Sequence, residues 1–564
     1  MLRFLPIVAI ITVILLFFLY NLHFSVDFPY QDDFLFIQFI EAITGDDKSL
    51  IKVIEEMFRT FNDHKAAVPR FVSLIDYELT GYLHFRFYIA LGTLALIYIC
   101  YFLYVNFRKA GLPLYYFIPV PLVIFQPMYY EVSNWALTSL QHPFLTAFLA
   151  GAILLVSRGT KPAFYGAILC CFLATFTHGN GILTFPAVIF FYLCHKDFRN
   201  AILTAVFMFA CLWIYMSGYE SGQAVNLPKT ALQFFTSLFG FVGASMSMWA
   251  MPELFSAIWG FIIIVCMVLV TVRVASVYFK KPMQVKPGTI ELLSFFVFIF
   301  ISSTVVALFR SWAGSTLASR FQMYAALSTA IFYIILLFYT NWLRIKWVFR
   351  AVLGFSVFYW AYCYYRFTGT VARQRTALLA DVYNWQNNRG MFSVEKSIVN
   401  YGSFYLIPGY EKGYFRLPKP VIEKKELDAM FAEKGPVKDN ALYLETWNIH
   451  RVAREKVEEL THYFVSSNVS PQRKHFWDDR FLAMKNTATD STYLISANPK
   501  IEARKNILTE GHYYKGGFNT LLRENDLGPG TYALGILDVS GGGKKTFYRL
   551  DRNLISTGDG YSLR

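Results

Sequence analysis

Apolar runs near the length that crosses about 30 Å of hydrocarbon recur along this chain, at 2–22, 87–107, 114–127, 143–157, 162–176, 181–194, 200–217, 252–272, 290–309, 321–341 and 347–366. A helix that is apolar all round must be covered by lipid or by other helices, so one soluble core is a poor use of such a sequence. Composition agrees: 55% of the 564 residues are hydrophobic, 18% are aromatic, and mean hydropathy is +0.39. The expected fold class is an α-helical polytopic membrane protein with about eleven transmembrane helices. The first segment, "LRFLPIVAIITVILLFFLYNL", reads as an uncleaved helix, because its apolar run is long and no small-x-small cleavage site follows.

A net charge of +14 would suggest nucleic acid in a soluble protein. Here the cations cluster in alternate loops: Arg108 and Lys109, Arg158 and Lys161, Lys196 and Arg199, Lys280 with Lys281 and Lys286, and Arg344 with Lys346 and Arg350. The positive-inside rule places those loops in the cytoplasm, so the bilayer is the expected partner and nucleic acid is not. With Arg3 inside and an odd number of spans, the C-terminal region is expected outside. Segment 231–251 is apolar enough to cross, but crossing would move Lys280 and Lys281 to the wrong side; it reads as re-entrant or interfacial. All seven cysteines fall in predicted spans, and 364–564 contain none. An external domain without disulfides fits a bacterial periplasm, hence a bacterial inner membrane.

Three regions follow: a membrane domain over 1–366 with a long outer loop at 23–86, a helical connector over 367–409, and an extracytoplasmic α+β or β-rich domain over 410–564. In the last, "LGPG" before "TYALGILDV" and "SGGGKK" after it read as hairpin-type breaks. In the outer loop, "DKSLIKVIEEMFRTF" has helical spacing, with Asp47 as its cap.

Chemistry-bearing residues collect in the outward loops. "YQDDFLF" offers Asp32 and Asp33; about 100° apart on a helix, they cannot both aim at one atom, so one acts as base while the other orients or binds. A boundary carboxylate also has its pKa raised by partial desolvation. "FNDHKAAVPR" supplies Asp63, His64, Lys65 and Arg70. "YYEVSNWALTSLQHP" supplies Glu131, Asn134, Trp135, Gln141 and His142, and "FTHGNGILTFP" supplies His178 and Asn180. Arg310 and Arg320 frame "FRSWAGSTLASRF", where guanidinium forks suit phosphate and Gly314 with its neighbouring serines lets backbone amides approach the same anion. Solvated acids, polar surface loops, capped helix ends and snorkelling arginines are the bland readings of these groups. No HExxH, CxxC or comparable spacing requires a metal, although Asp32, Asp33 and His64 are available to a divalent ion. No cofactor is required by the sequence.

"YQDDFLF", "FNDHKAAVPR", "FTHGNGILTFP" and "ASRFQMY" together resemble the GT-C class of membrane glycosyltransferases. That class includes protein O-mannosyltransferases, the aminoarabinose transferases of lipid A and bacterial serotype-type glucosyltransferases. The resemblance covers roughly residues 1–370. It implies a polyprenyl-phosphate sugar donor, Asp32 as catalytic base, Asp33 as its neighbour, and Arg310 and Arg320 as phosphate binders. His64, Lys65, Arg70, Glu131, Trp135, Gln141, His178 and Asn180 complete the expected substrate-binding set. "NDHK" departs from the pattern, where an acid or arginine would flank the histidine.

The expected function is inverting transfer of a sugar from a polyprenyl-phosphate donor to a hydroxyl of a glycan, lipid or protein acceptor on the periplasmic face. Two alternatives stand beside it: a membrane transporter or lipid flippase, and a non-catalytic glycan-binding membrane protein.

Overall fold

The computed structural model describes residues 4–45, 49–219, 227–248, 251–280, 283–311, 317–433, 442–453, 456–468, 475–510 and 513–564. Arg3, Asp47, Lys281 and Gly314 lie outside the described residues. In chain order the helices begin with α1 (Leu5–Phe24), α2 (Phe34–Thr44), α3 (Leu50–Phe58), α4 (Ala67–Thr80) and α5 (Phe85–Lys109). Next come α6 (Pro119–Ile124), α7 (Tyr130–Asn134), α8 (Ala136–Val156), α9 (Lys161–Thr175), α10 (Thr184–Cys194) and α11 (Phe198–Met216). α12 (Ala231–Gly243), α13 (Pro252–Ala275), α14 (Thr289–Phe309), α15 (Ser319–Tyr339), α16 (Lys346–Asn388), α17 (Lys396–Glu411) and α18 (Lys424–Glu433) follow.

Among the described residues seven helices are long and apolar enough to cross a membrane: α1, α5, α8, α11, α13 with its extension to Tyr278, α14 and α15. By helix length and hydropathy this is a multi-pass membrane protein. α9, α10 and α12 are apolar but shorter. The run at 114–127 is not one helix: residues Leu114–Phe117 form a 3-10 turn, and two prolines, Pro119 and Pro121, open the six-residue α6. α12 closes against α13 through glycine: a Cβ on Gly243 would lie 2.0 Å from the Ser256 carbonyl oxygen, and one on Gly260 1.9 Å from that of Phe239. Only hydrogen fits at these two crossings. The run at 347–366 is the first half of α16, a single helix of 43 residues.

Two compact units organise the chain. The first comprises 1–25, 42–76 and 86–367 and contains the seven candidate spans. Its core is built from Phe17, Phe102, Tyr129, Ile153, Phe295, Tyr324 and Ile331, with a second cluster around Cys171, Val188, Phe191 and Cys211.

The second unit comprises 26–41, 77–85 and 368–564. Among the described residues its nine strands form two antiparallel sheets. β1 (Tyr443–Ala453), β2 (Lys456–Ser467), β3 (Asp479–Asn486), β4 (Thr492–Ser496) and β5 (Asn498–Ile501) precede β6 (Tyr514–Arg523), β7 (Gly530–Val539), β8 (Lys545–Ser556) and β9 (Tyr561–Leu563). The sheet orders are β1-β2-β6-β5 and β4-β3-β7-β8-β9. Within the five-stranded sheet β3 is buried on both faces, which is why it reads as the continuous apolar run "FLAM". Leu482, Met484 and Ile536 join Phe518 and Leu522 of the other sheet. Phe481, Ala483 and Leu537 pack with Ala380 and Tyr383 of α16 and with Leu427 and Phe431 of α18. Residues 540–544 make the β7–β8 hairpin, with Gly543 at φ +81. "LGPG" instead carries the chain from one sheet to the other, since β6 and β7 belong to different sheets.

Candidate functional site

In the first unit, polar side chains gather at helix ends. The loop before α4 is a tight turn in which the Phe61 and His64 backbones exchange two hydrogen bonds, 2.8 and 3.0 Å, around Asn62 at φ +51. The end of α11 fixes it from outside: Tyr215 Oη accepts from the Lys65 amide at 3.3 Å, Tyr219 Oη donates to the Asp63 carbonyl at 3.3 Å, and Lys65 Nζ donates to the Ser217 carbonyl. Asp63 is thereby presented to Arg310, whose Nη2 donates to its Oδ2 at 2.9 Å. Arg310 itself is the residue that ends α14.

The turn also places His64 in a stack of imidazoles. His64 and His178 have ring centroids 4.0 Å apart, and His178 and His142 4.9 Å apart. His142, on α8, is hydrogen-bonded through Nδ1 to Tyr324 Oη of α15 at 2.9 Å. His178 caps the 3-10 turn Gly179–Leu183, its Nδ1 accepting from the Asn180 amide at 3.3 Å, which assigns its proton to Nε2. His64 Nδ1 is buried without a hydrogen-bond partner, against Gly179; a Cβ there would lie 2.8 Å from it. Burial, then the Arg310 charge, holds His64 down to about 4 against the opposing effect of Asp63. Burial likewise pushes His178 well below the usual range, helped by the neighbouring His64 and His142 rings and by the Arg310 and Arg320 charges. Both rings are neutral at physiological pH.

A second carboxylate–guanidinium pair lies at the start of α15. Glu131 Oε2 accepts from the Arg320 amide at 3.1 Å and lies 3.7 Å from Arg320 Nη1, while Ser319 Oγ accepts from the Glu131 amide at 3.2 Å. The acid therefore caps the helix that carries the arginine. Both arginines keep about a third of their side chain exposed, 36% for Arg310 and 34% for Arg320. Trp135 precedes α8 and is buried, Gln141 is buried in α8, and Asn180 is half-buried.

The remaining expected residues have other surroundings. Arg70 is buried and donates through Nη1 to the carbonyls of Met57 and Arg59, at 3.1 and 2.6 Å, where α3 ends. Burial lowers its pKa to about 10. Lys65 is likewise spent on a backbone carbonyl. Asp32 and Asp33 belong to the second unit, in the 3-10 turn Gln31–Asp33. Asp33 is buried and accepts the Tyr30 amide at 3.1 Å; Asp32 is half-buried. The two acids thus differ, one closing its own turn and the other more open to solvent. Among the described residues no group of three or more His, Cys, Asp or Glu side chains is arranged to hold a metal ion.

Sequence reading omitted Asp63, His142 and Tyr324 from the binding set. The first two stand in quoted motifs; Tyr324 is one turn past Arg320 in "ASRFQMY", where only the long-range partner gives it meaning. Helices, sheets and polar cluster together define a multi-pass membrane protein with a β-rich C-terminal region. Comparison with protein-family models, with curated proteins and with solved structures finds no match.

Proposed function

We propose that this protein is a GT-C-like glycosyltransferase of the bacterial inner membrane. It moves a sugar from a polyprenyl-phosphate donor to an envelope acceptor hydroxyl on the periplasmic face, where the C-terminal domain also lies. The observation that carries the reading is the pairing of two half-open arginines, each oriented by a carboxylate (Asp63 for Arg310, Glu131 for Arg320), in a unit otherwise made of apolar helices. Guanidinium groups held this way suit a phosphate at the membrane boundary, and neutral imidazoles beside them add donors without adding charge. In the reaction the acceptor oxygen bonds to the anomeric carbon as the bond from that carbon to the phosphate oxygen breaks. Arg310 and Arg320 take up the charge of the departing polyprenyl phosphate. The acceptor proton passes to a carboxylate, which the motif resemblance assigns to Asp32, with Asp33 holding the turn.

The test is transfer by purified protein from labelled polyprenyl-phosphate sugars to membrane acceptors. Wild type should transfer, Asp32→Asn should not, and Arg320→Gln should require much more donor. Equal transfer by wild type and Asp32→Asn would overturn the assignment of the base.

One observation favours a second reading, a transporter or flippase. The rings of His64, His178 and His142 lead to Tyr324 between two candidate spans, as a proton path would. Proteoliposomes separate the two readings: proton-coupled movement of a lipid or solute without any glycosyl product would favour transport.

A further inference from the structure

A groove of about 400 Å³ lies in the first unit between α5, α8 and α9, lined by Leu91, Leu94, Ala95 and Tyr98, by Phe144, Ala147, Phe148 and Gly151, and by Cys170. The α5 and α8 residues each follow an i, i+3, i+4, i+7 stripe, so two helical faces oppose each other across a gap. The helices touch at one end, where a Cβ on Gly92 would come within 2.7 Å of Ser139 Cβ. At the other end the Tyr98 hydroxyl and the Cys170 thiol each lie 3.5 Å from the position of a Cβ on Gly151. One wall is at the surface: Leu94 is 52% and Tyr98 38% exposed.

Water has little hold here, since it needs two to four polar partners and the lining offers a phenol and a thiol. Two of the three helices are candidate spans and the third is apolar, so the medium beside the groove is hydrocarbon. Each stripe runs seven residues, about 10 Å along its helix at roughly 1.5 Å per residue, the length of the middle of one lipid tail. The groove's position on α8 separates it from the polar cluster. Phe144, Ala147, Phe148 and Gly151 follow His142 by two, five, six and nine residues, which at about 100° per residue centres them on the opposite side of the helix. His142 is buried, whereas Phe144, Ala147 and Phe148 are half-buried.

We propose that this groove is a binding site for one acyl chain of a bilayer phospholipid, distinct from the site of any polyprenyl donor. The inference rests on the membrane character of the helices and not on the glycosyltransferase reading.

The test uses full-length protein in nanodiscs containing a trace of phospholipid with a diazirine in mid-chain, and separately a photoactivatable polyprenyl phosphate. After irradiation, peptides carrying Leu91–Tyr98 and Phe144–Gly151 should take the phospholipid label well above peptides from the exposed faces of α11 and α13. Gly151→Phe should abolish that enrichment, and Ala95→Leu, a smaller plug on the facing wall, should reduce it. Arg310→Gln should leave it unchanged. Both plugged variants are first checked for wild-type elution and melting; should Gly151→Phe fail, Ala95→Leu carries the test. The proposal is overturned by label no denser here than on α11 and α13, by unchanged label in the plugged variant, or by labelling with the polyprenyl probe alone.

Discussion

Arg310 Nη2 donates to Asp63 Oδ2 at 2.9 Å, tying the end of α14 to a loop 247 residues earlier in the chain. Because the guanidinium is about a third exposed, solvent screens the attraction, and the pair should contribute about 1 kcal/mol or less to stability. Its work is orientation. A double-mutant cycle of Asp63→Asn and Arg310→Gln, followed by unfolding in detergent, should give a coupling energy in that range. A value near or above about 3 kcal/mol would mean a fully desolvated pair and contradict this account.

Gly179 is held to glycine by His64, not by its backbone angle. Gly179→Ala should displace the imidazole stack and destabilise by about 1–3 kcal/mol, the usual cost of overpacking. Gly354→Ala is the matched control, within α16 and with nothing within 4 Å of the new methyl, and should be neutral or slightly stabilising. Melting temperatures of the two variants check the contrast.

Acid should act in opposite directions on the turn around His64 and on two buried carboxyls of the second unit. His64 has its folded pKa depressed to about 4, so between about 6.5 and 4 the unfolded chain binds a proton that the folded chain refuses. Stability around residues 61–66 should therefore fall as pH drops through that window. In the second unit burial raises Asp381 and Asp526 to about 6, against amide hydrogen bonds that favour the ionised forms. Their contribution is complete below about 3.8 and is lost as pH rises through about 6. Hydrogen exchange at pH 4.5 and 7, corrected for intrinsic rates, should show looser amides at 61–66 and tighter ones at 392–393, where Asp381 accepts.

Arg70 closes the end of α3. Arg70→Leu should cost about 1.5–3 kcal/mol, as for a lost charged hydrogen bond, and increase exchange across 50–58. Arg70→Lys should rescue only as far as its ammonium reaches the place of Nη1, the one nitrogen that serves both carbonyls. A change confined to donor affinity, with α3 intact, would instead return Arg70 to the ligand.

What was legible in the sequence depended on range. Span-length apolar runs such as 87–107 and 290–309 declare themselves locally, because lipid exposure constrains every residue. So does the Gly-rich hairpin after β7. The second unit's composition did not, because it joins distant stretches: the Leu83 amide donates to the Tyr414 carbonyl at 2.8 Å, Lys412 pairs with Glu41 at 2.6 Å, and a Cβ on Gly402 would lie 2.3 Å from the Phe34 ring. None of these residues carries a local signal of its partner. The polar cluster was half legible. Arg310, Arg320, His64 and His178 stood out as charged or titratable groups beside spans, whereas Tyr324 reads as one more aromatic in an apolar helix.

The division of the second unit into three stretches also bears on how the protein is made. Residues 26–41 leave the ribosome early, yet they belong with 368–564, and the helices between must be synthesised first. Synthesis at roughly 5–20 residues per second leaves that early stretch waiting tens of seconds, its apolar side chains Phe34 and Ile37 without Gly402 and Gly409 of α17 against them. A chaperone or the membrane surface has to shelter them meanwhile, and a chain halted before α17 would strand them permanently.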